Sequence, residues 1–334
     1  MASYDIFDEQ YYLSQYPWVK PAIDAGIIKS GREHFEKFGQ AGGLTRVSRY
    51  FDEATYLAGN PDIAALVRTP SNPNGAFATG LDHFIQFGYE EGRSRVSPNY
   101  DEAFYVANNR QLQPFIQNGT LKSGYQHFIQ FGINELKRTS FFDEVAYLSR
   151  NPDIEPLVES GALTTGREHY FNFGKNEPNR SATFVGTSGN DTLTGIGVGN
   201  VELFGGSDGS NEFDTLIGGP GADTFVLAQP LFTSRGFQSG YKSFYIGPGF
   251  VTIRNFTQGQ DSIQLRPSDF NNILVFPINN NRDLAIQTNG FRVFLPDRTL
   301  EISRFDTLAV IEGGGNLKLN LLRPESNFSL SSIG

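Results

Sequence analysis

The sequence predicts a multidomain fold: an all-α array of repeats, then a short glycine- and aspartate-rich β segment, then an antiparallel β cap. Three observations predict it. Residues 1–180 carry one pattern four times, residues 181–228 change abruptly in composition, and residues 229–334 break into short β-forming runs between turn formers.

In the array, FDEQYYL (7–13), FDEATYL (51–57), YDEAFYV (100–106) and FFDEVAYL (141–148) share one pattern. Each is followed by a second: GREHFEKFG (31–39), GLDHFIQFG (80–88), GYQHFIQFG (124–132) and GREHYFNFG (166–174). The four repeats span about 1–48, 49–97, 98–139 and 140–180. Asp8, Asp52, Asp101 and Asp143 are placed to cap a first helix, because their carboxylates can accept orphan backbone N–H bonds. The aromatics before them (Phe7, Phe51, Tyr100, Phe142) can staple onto Tyr12, Tyr56, Tyr105 and Tyr147. Asn60-Pro61-Asp62 and Asn151-Pro152-Asp153 announce a second helix with proline in its first turn. A third opens at Ser30, Thr79, Ser123 and Thr165; Glu33, Gln126 and Glu168 fit a capping box, and Asp82 is a shorter approximation. Gly39, Gly88, Gly132 and Gly174 are expected to end it just past the helix. Helices this short need packing between repeats to persist.

All four histidines fall at one repeat position: His34, His83, His127 and His169. Each neighbours an aromatic residue and lacks a second ligand at metal spacing, so the packing reading is preferred to a metal role. The pattern resembles a repeat of bacterial extracellular proteins, "YLxxNPDIxxxV…G…HFxxFGxxEGR", often found beside calcium-binding repeats. The second copy fits best, through Tyr56-Leu57, Asn60-Pro61-Asp62-Ile63, His83-Phe84 and Glu91-Gly92-Arg93; the third has Asn109-Arg110-Gln111 in place of Asn-Pro-Asp. The resemblance implies no site residues.

From 181 to 234 there is no Lys or Arg, against six acids: Asp191, Glu202, Asp208, Glu212, Asp214 and Asp223. Carboxylates this dense repel one another unless a cation lies among them. Aligned on glycine, the segment reads GTSGNDTLT (186–194), GIGVGNVELF (195–204), GGSDGSNEFDTLI (205–217) and GGPGADTFV (218–226). Glycine lets a turn aim carbonyl oxygens inward, and aspartate adds a charged oxygen. Leu193, Leu216 and Phe225, each two residues after an aspartate, are expected to point into a core.

This pattern resembles the nonapeptide G-G-x-G-x-D-x-U-x of the RTX (hemolysin-type) family. The resemblance implies a short parallel β-roll over 181–228 that binds Ca2+ in its turns. The implied ligands are the carboxylates of Asp191, Asp214 and Asp223, with Gly186, Ser188, Gly189, Gly219 and Gly221 in the turns. By the family's spacing Asp191 shares a site with Asp214, while Asp223 faces the degenerate 195–204 turn. An all-oxygen set without Cys or His suits a hard cation that accepts six to eight ligands. The alternative is a glycine-rich linker that binds nothing. Gly205-Gly206-Ser207-Asp208-Gly209 matches G-x-S-x-G, but every histidine lies upstream and no helix is expected after it, so a catalytic serine is not expected.

VTIRNF (251–256), DSIQL (261–265) and DTLAVIEG (306–313) resemble the segment that follows RTX repeats in type I–secreted proteins, where the export signal is C-terminal and uncleaved. MASYDIFDEQ lacks the basic and apolar regions of a cleavable signal, consistent with another address. The net charge of −9 disfavours nucleic acid, no apolar run is long enough to span a bilayer, and the absence of cysteine excludes disulfides and thiolate sites. The leading expectation is a secreted, calcium-binding, non-enzymatic surface, matrix or adhesion protein whose helical repeats meet an unknown protein or polysaccharide. An adaptor within a larger complex, with structural Ca2+, is the first alternative. A secreted hydrolase with an unrecognised carboxylate pair is the second, since such pairs need no sequence spacing.

Overall fold

The structure is a computed structural model that describes residues 4–135, 137–206, 211–232, 238–265, 273–288, 292–294, 300–302, 306–322 and 329–332. The chain forms two compact units: Met1–Ser140 with Pro152–His169, and Phe141–Asn151 with Tyr170–Gly334. No helix among the described residues is long and apolar enough to cross a membrane.

In the first unit each repeat begins with a seven-residue helix: Glu9–Gln15, Glu53–Gly59 and Glu102–Asn108. Their aspartates accept from the backbone N–H three residues on, with Tyr11 N to Asp8 at 3.0 Å, Thr55 N to Asp52 at 2.7 Å and Phe104 N to Asp101 at 2.8 Å. The staples form, with ring centroids 5.0 Å apart for Phe7–Tyr12, 5.5 Å for Phe51–Tyr56 and 5.4 Å for Tyr100–Tyr105. Each repeat also closes on itself. The N–H groups of Asp8, Asp52 and Asp101 donate to the carbonyls of Val47, Val96 and Thr139 near the end of the same repeat, each at 2.8 Å.

The third helices differ from expectation in two ways. The reciprocal capping box forms at Thr79–Asp82, where Thr79 N donates to Asp82 at 3.2 Å. Glu33, Gln126 and Glu168 reach one residue further back, to the N–H of Lys29, Lys122 and Thr164, because their side chains are one methylene longer. The first three glycines also do not lie past the helix end. Gly31–His34, Gly80–His83 and Gly124–His127 run into π-helical turns Phe35–Gly39, Phe84–Gly88 and Phe128–Gly132, so the glycine is the last helical residue. Gly39 is needed for space: a Cβ there would stand 2.6 Å from the Tyr12 hydroxyl. That hydroxyl bonds His34 Nδ1 at 2.8 Å, as Tyr56 does His83 at 2.8 Å and Tyr105 does His127 at 2.9 Å. The histidines therefore brace the core, and burial holds their pKa values below the ordinary range.

The second unit joins Glu144–Arg150, capped by Asp143, to two sheets. Asp143 N donates to Thr183 O at 2.9 Å, the bond that the first three repeats make within themselves. After Pro152 the chain turns before its helix, Glu155–Glu159, which belongs to the first unit.

Successive short strands then alternate between the sheets: β1 (Ala182–Val185), β2 (Thr192–Thr194), β3 (Val201–Phe204), β4 (Thr215–Ile217) and β5 (Asp223–Val226). A hairpin of β6 (Ala228–Phe232) and β7 (Gln238–Ser243) interrupts them, and the alternation resumes with β8 (Val251–Arg254) and β9 (Ser262–Gln264). Next come β10 (Ile273–Ile278), β11 (Asp283–Thr288), the hairpin β12 (Arg292–Phe294) and β13 (Leu300–Ile302), β14 (Asp306–Ile311), β15 (Leu319–Leu322) and β16 (Ser329–Ser332). One sheet has the order β1-β3-β5-β9-β16-β15 and the other β10-β11-β14-β8-β4-β2. The register stacks Phe184, Leu203, Phe225 and Ile263 in one sheet, and Leu193, Leu216, Ile253 and Ile311 in the other. All eight are buried, which places the apolar core at this one position of each strand.

The expected fold class is corrected by this topology. The chain is mixed α/β, not an all-α array followed by a short β-roll and a separate antiparallel cap. β8 and β9, assigned to the cap, pair in parallel with the glycine-rich strands β4 and β5, β14 pairs in parallel with β8, and β10, β11, β15 and β16 complete the same two sheets. The physical reason is that VTIR and SIQ bury an isoleucine each at the same strand position, while the 227–250 insertion separates them from the strands they extend.

Candidate functional site

The candidate site is the set of turns that link the two sheets. Along one edge lie 186–191, 205–206 and 211–214; along the other lie 195–200, 218–222 and 255–261. The turns stack closely. A Cβ on Gly221 would collide with the Gly199 carbonyl oxygen, one on Gly219 with the Gly195 carbonyl, and one on Gly186 with the Gly205 carbonyl. Ser188 is half-buried, and Gly189 N donates to Thr187 Oγ1 at 3.1 Å.

The aspartates follow a local rule. Asp191 Oδ2 accepts from Thr187 N at 2.6 Å and Thr187 Oγ1 at 2.9 Å; Asp223 Oδ2 accepts from Gly219 N at 2.6 Å; Asp261 Oδ2 accepts from Thr257 N at 2.7 Å. Each carboxylate thus holds the backbone N–H four residues earlier and fixes its own turn. A second bond joins turn to turn: Asp191 N donates to Asp214 Oδ1 at 2.8 Å, and Asp223 N to Asp261 Oδ1 at 2.9 Å. Asp191 and Asp214 are joined through that backbone bond, and Asp223 lies against the 195 turn, its Oδ1 3.0 Å from where a Gly195 Cβ would be. Asp261 was missed by the sequence reading. The interval Thr187–Asp191, repeated at Gly219–Asp223 and Thr257–Asp261, was the available signal.

Asp223 is 1% exposed, and its Oδ1 is buried without a hydrogen-bond partner among the described residues. Burial pushes its pKa up from 3.8 to about 7, against the lowering effect of the Gly219 N–H. On the other edge burial raises Asp214 to about 6, with the hydroxyl of Tyr245 and the N–H of Asp191 opposing. Among the described residues no group of three or more His, Cys, Asp or Glu converges, so any cation here would draw on backbone carbonyls as well. Ser207 of the G-x-S-x-G match lies outside the described residues.

These shifts set a pH dependence. A carboxyl whose folded pKa is raised binds more protons folded than unfolded, so its stabilising effect is complete below the unfolded value and lost as pH rises through the folded one. In chelator, the wild type is expected to lose about 2 kcal/mol or more of stability relative to Asp223→Asn between pH 4.5 and 7.5, a difference in which the opposite trend of the buried histidines cancels. Urea titrations of both at half-unit pH steps check this, and a flat or rising difference would contradict it.

No family model matches the chain, and no curated protein matches it.

Proposed function

We propose that this chain is a secreted, calcium-binding, non-enzymatic surface, matrix or adhesion protein whose β unit is stabilised by the ion. The observation that supports the reading is the Asp223 Oδ1 atom, a buried carboxylate oxygen with no donor among the described residues, in a turn packed against the Gly195 and Gly199 carbonyls. A natural protein rarely leaves such an atom unsatisfied, and a hard cation that accepts carboxylate and carbonyl oxygens satisfies it. Asp223 and those two carbonyls would hold the ion. Bound Ca2+ supplies positive charge that keeps the buried carboxylate ionised, and so converts binding free energy into folding free energy. Cytosolic calcium is scarce, so on this reading the β unit reaches full stability after export.

A calcium titration of thermal unfolding on the full chain tests this. At a hundredfold excess over Kd the ion should stabilise the wild type by about 2.7 kcal/mol. Mg2+ at equal concentration should do much less, because it demands tighter octahedral geometry. Asp223→Asn should lose most of the calcium shift and, in chelator at pH 7.5, melt above the wild type. The substitution removes the buried charge at nearly constant volume. A wild type indifferent to calcium would overturn the reading.

The adaptor reading would then take its place. It is favoured by Phe38, Phe87 and Phe131, the second phenylalanine of each HFxxFG, which are 56%, 47% and 51% exposed.

A further inference from the structure

We infer that the cleft between the first two repeats, walled by an insert that the second repeat alone carries, binds a neutral saccharide unit. The cleft lies within the first compact unit and shares no residue with the calcium reading, beyond which this inference goes.

The second repeat departs from its siblings twice. From Phe51 to Gly80 the chain advances 29 residues, against 24 from Phe7 to Gly31, from Tyr100 to Gly124 and from Phe142 to Gly166. The added residues fall between the second and third helices, in the stretch 66–78, and they are folded tightly. Asn72 Nδ2 donates to Ala65 O at 3.0 Å, Phe77 N to Leu66 O at 3.2 Å and Arg68 N to Phe77 O at 2.9 Å. A Cβ on Gly75 would stand 2.7 Å from the backbone of Leu66 and Arg68. The second departure is Asp82, where the other copies have Glu33, Gln126 and Glu168. Its Oδ2 accepts from Thr79 N at 3.2 Å. Its Oδ1, in a residue 7% exposed, has no hydrogen-bond partner among the described residues.

Both departures meet in one place. A cleft of about 400 Å3 is lined by Arg68 and Phe77 of the insert, by Asp82 and Gln86 beyond it, and by Glu36 and Gln40 of the first repeat. That volume falls in the range of small-ligand sites. The repeat fold does not require the insert, since three copies do without it. A buried carboxylate oxygen without a donor calls for an N–H or O–H group, and charge decides which. Glu36 is paired with Arg32 at 2.8 Å, and Arg68 shares the cleft with Asp82, so these four charges cancel and an ion gains little. Hydroxyl groups suit such walls: Asp82 accepts from them, and the amides of Gln40 and Gln86 both donate and accept. Phe77 is half-buried and fixed by T-shaped contacts with His83 at 4.9 Å and Phe87 at 6.0 Å. It offers an apolar ring to the C–H face of a pyranose. A molecule with hydroxyls on its rim, an apolar face and no charge is a neutral sugar.

Saturation-transfer NMR titrations on the full chain test this. The neutral probes are the methyl glycosides of glucose, galactose, mannose and N-acetylglucosamine with their short oligomers; free glycine, free lysine and ethanolamine are the charged ones. At least one neutral probe should bind saturably, with Kd equal within about twofold in calcium and in chelator. Asp82→Asn should weaken that binding about tenfold, because the amide keeps the Thr79 bond but turns a donor toward the sugar hydroxyl. Its melting temperature should stay near that of the wild type. Should it melt much lower, Gln86→Ala, at an exposed position, decides through a loss of about threefold or more. No saturable binding by any neutral probe, preference for the charged probes, or wild-type affinity in the deciding variant would overturn the inference. A missing calcium shift with sugar binding intact would sink only the earlier reading.

Discussion

Gly221→Ala is expected to destabilise the β unit by about 3 kcal/mol or more, near the upper end for overpacking. The turn at 218–222 lies on the turn at 195–200, and the new methyl would collide with the Gly199 carbonyl oxygen and stand 3.0 Å from the Val198 carbonyl carbon. Both neighbours are backbone, so no side chain can swing aside. To make room, the turns must part, which strains the Val201–Asp223 pairing between β3 and β5 and the 3.3 Å bond from Val201 N to Ala222 O. Gly313→Ala is the control. Gly313 has φ +71° but nothing within 4 Å of its would-be Cβ, so only the backbone strain of about 1 kcal/mol is expected. Denaturant unfolding of both variants in saturating calcium and in chelator reads the two costs. Equal small losses would mean that the turns are not in contact.

The same contrast explains what was legible in the sequence. The caps and staples at Asp8, Asp52 and Asp101 were legible because cap, aromatic and tyrosine all lie within a few residues of one another. Glu9, Glu53 and Glu102 were not, although each has a defined task. Their carboxylates accept the first N–H groups of the third helix of the same repeat, at Gly31 and Arg32, Gly80 and Leu81, and Gly124 and Tyr125. That partnership spans 22 to 28 residues and leaves no local signature. In the β unit, Leu193, Leu216 and Phe225 were legible as core residues from their place after each aspartate. The continuation through β8 and β9 was hidden, because an insertion separates Thr257–Asp261 from the intervals it repeats. Tyr245, which donates to Asp214 and has φ +58°, was beyond reach for another reason: nothing in a sequence marks a tyrosine for positive φ.

Tyr56→Ala is expected to cost about 3–5 kcal/mol, the range for truncating a buried aromatic. Tyr56 is fully buried, with its ring 5.5 Å from those of both Phe51 and Phe84, so alanine removes the staple and the middle of the repeat core together. Tyr56→Phe keeps the ring and loses only the hydroxyl bond to His83 Nδ1, a loss of about 1–2 kcal/mol. The hydroxyl is also why position 88 is glycine, since a Cβ there would collide with it. Gly88→Ala alone should therefore be strongly destabilising, yet in the Tyr56→Phe background the methyl enters the space the oxygen has left. The double variant should be more stable than the sum of its parts by about 1 kcal/mol or more. Additive losses would show that Gly88 answers to something other than the tyrosine, such as Phe84 Cδ2 at 3.2 Å, and would sever the link between the repeated spacing of the π-turn and the buried Tyr–His pair.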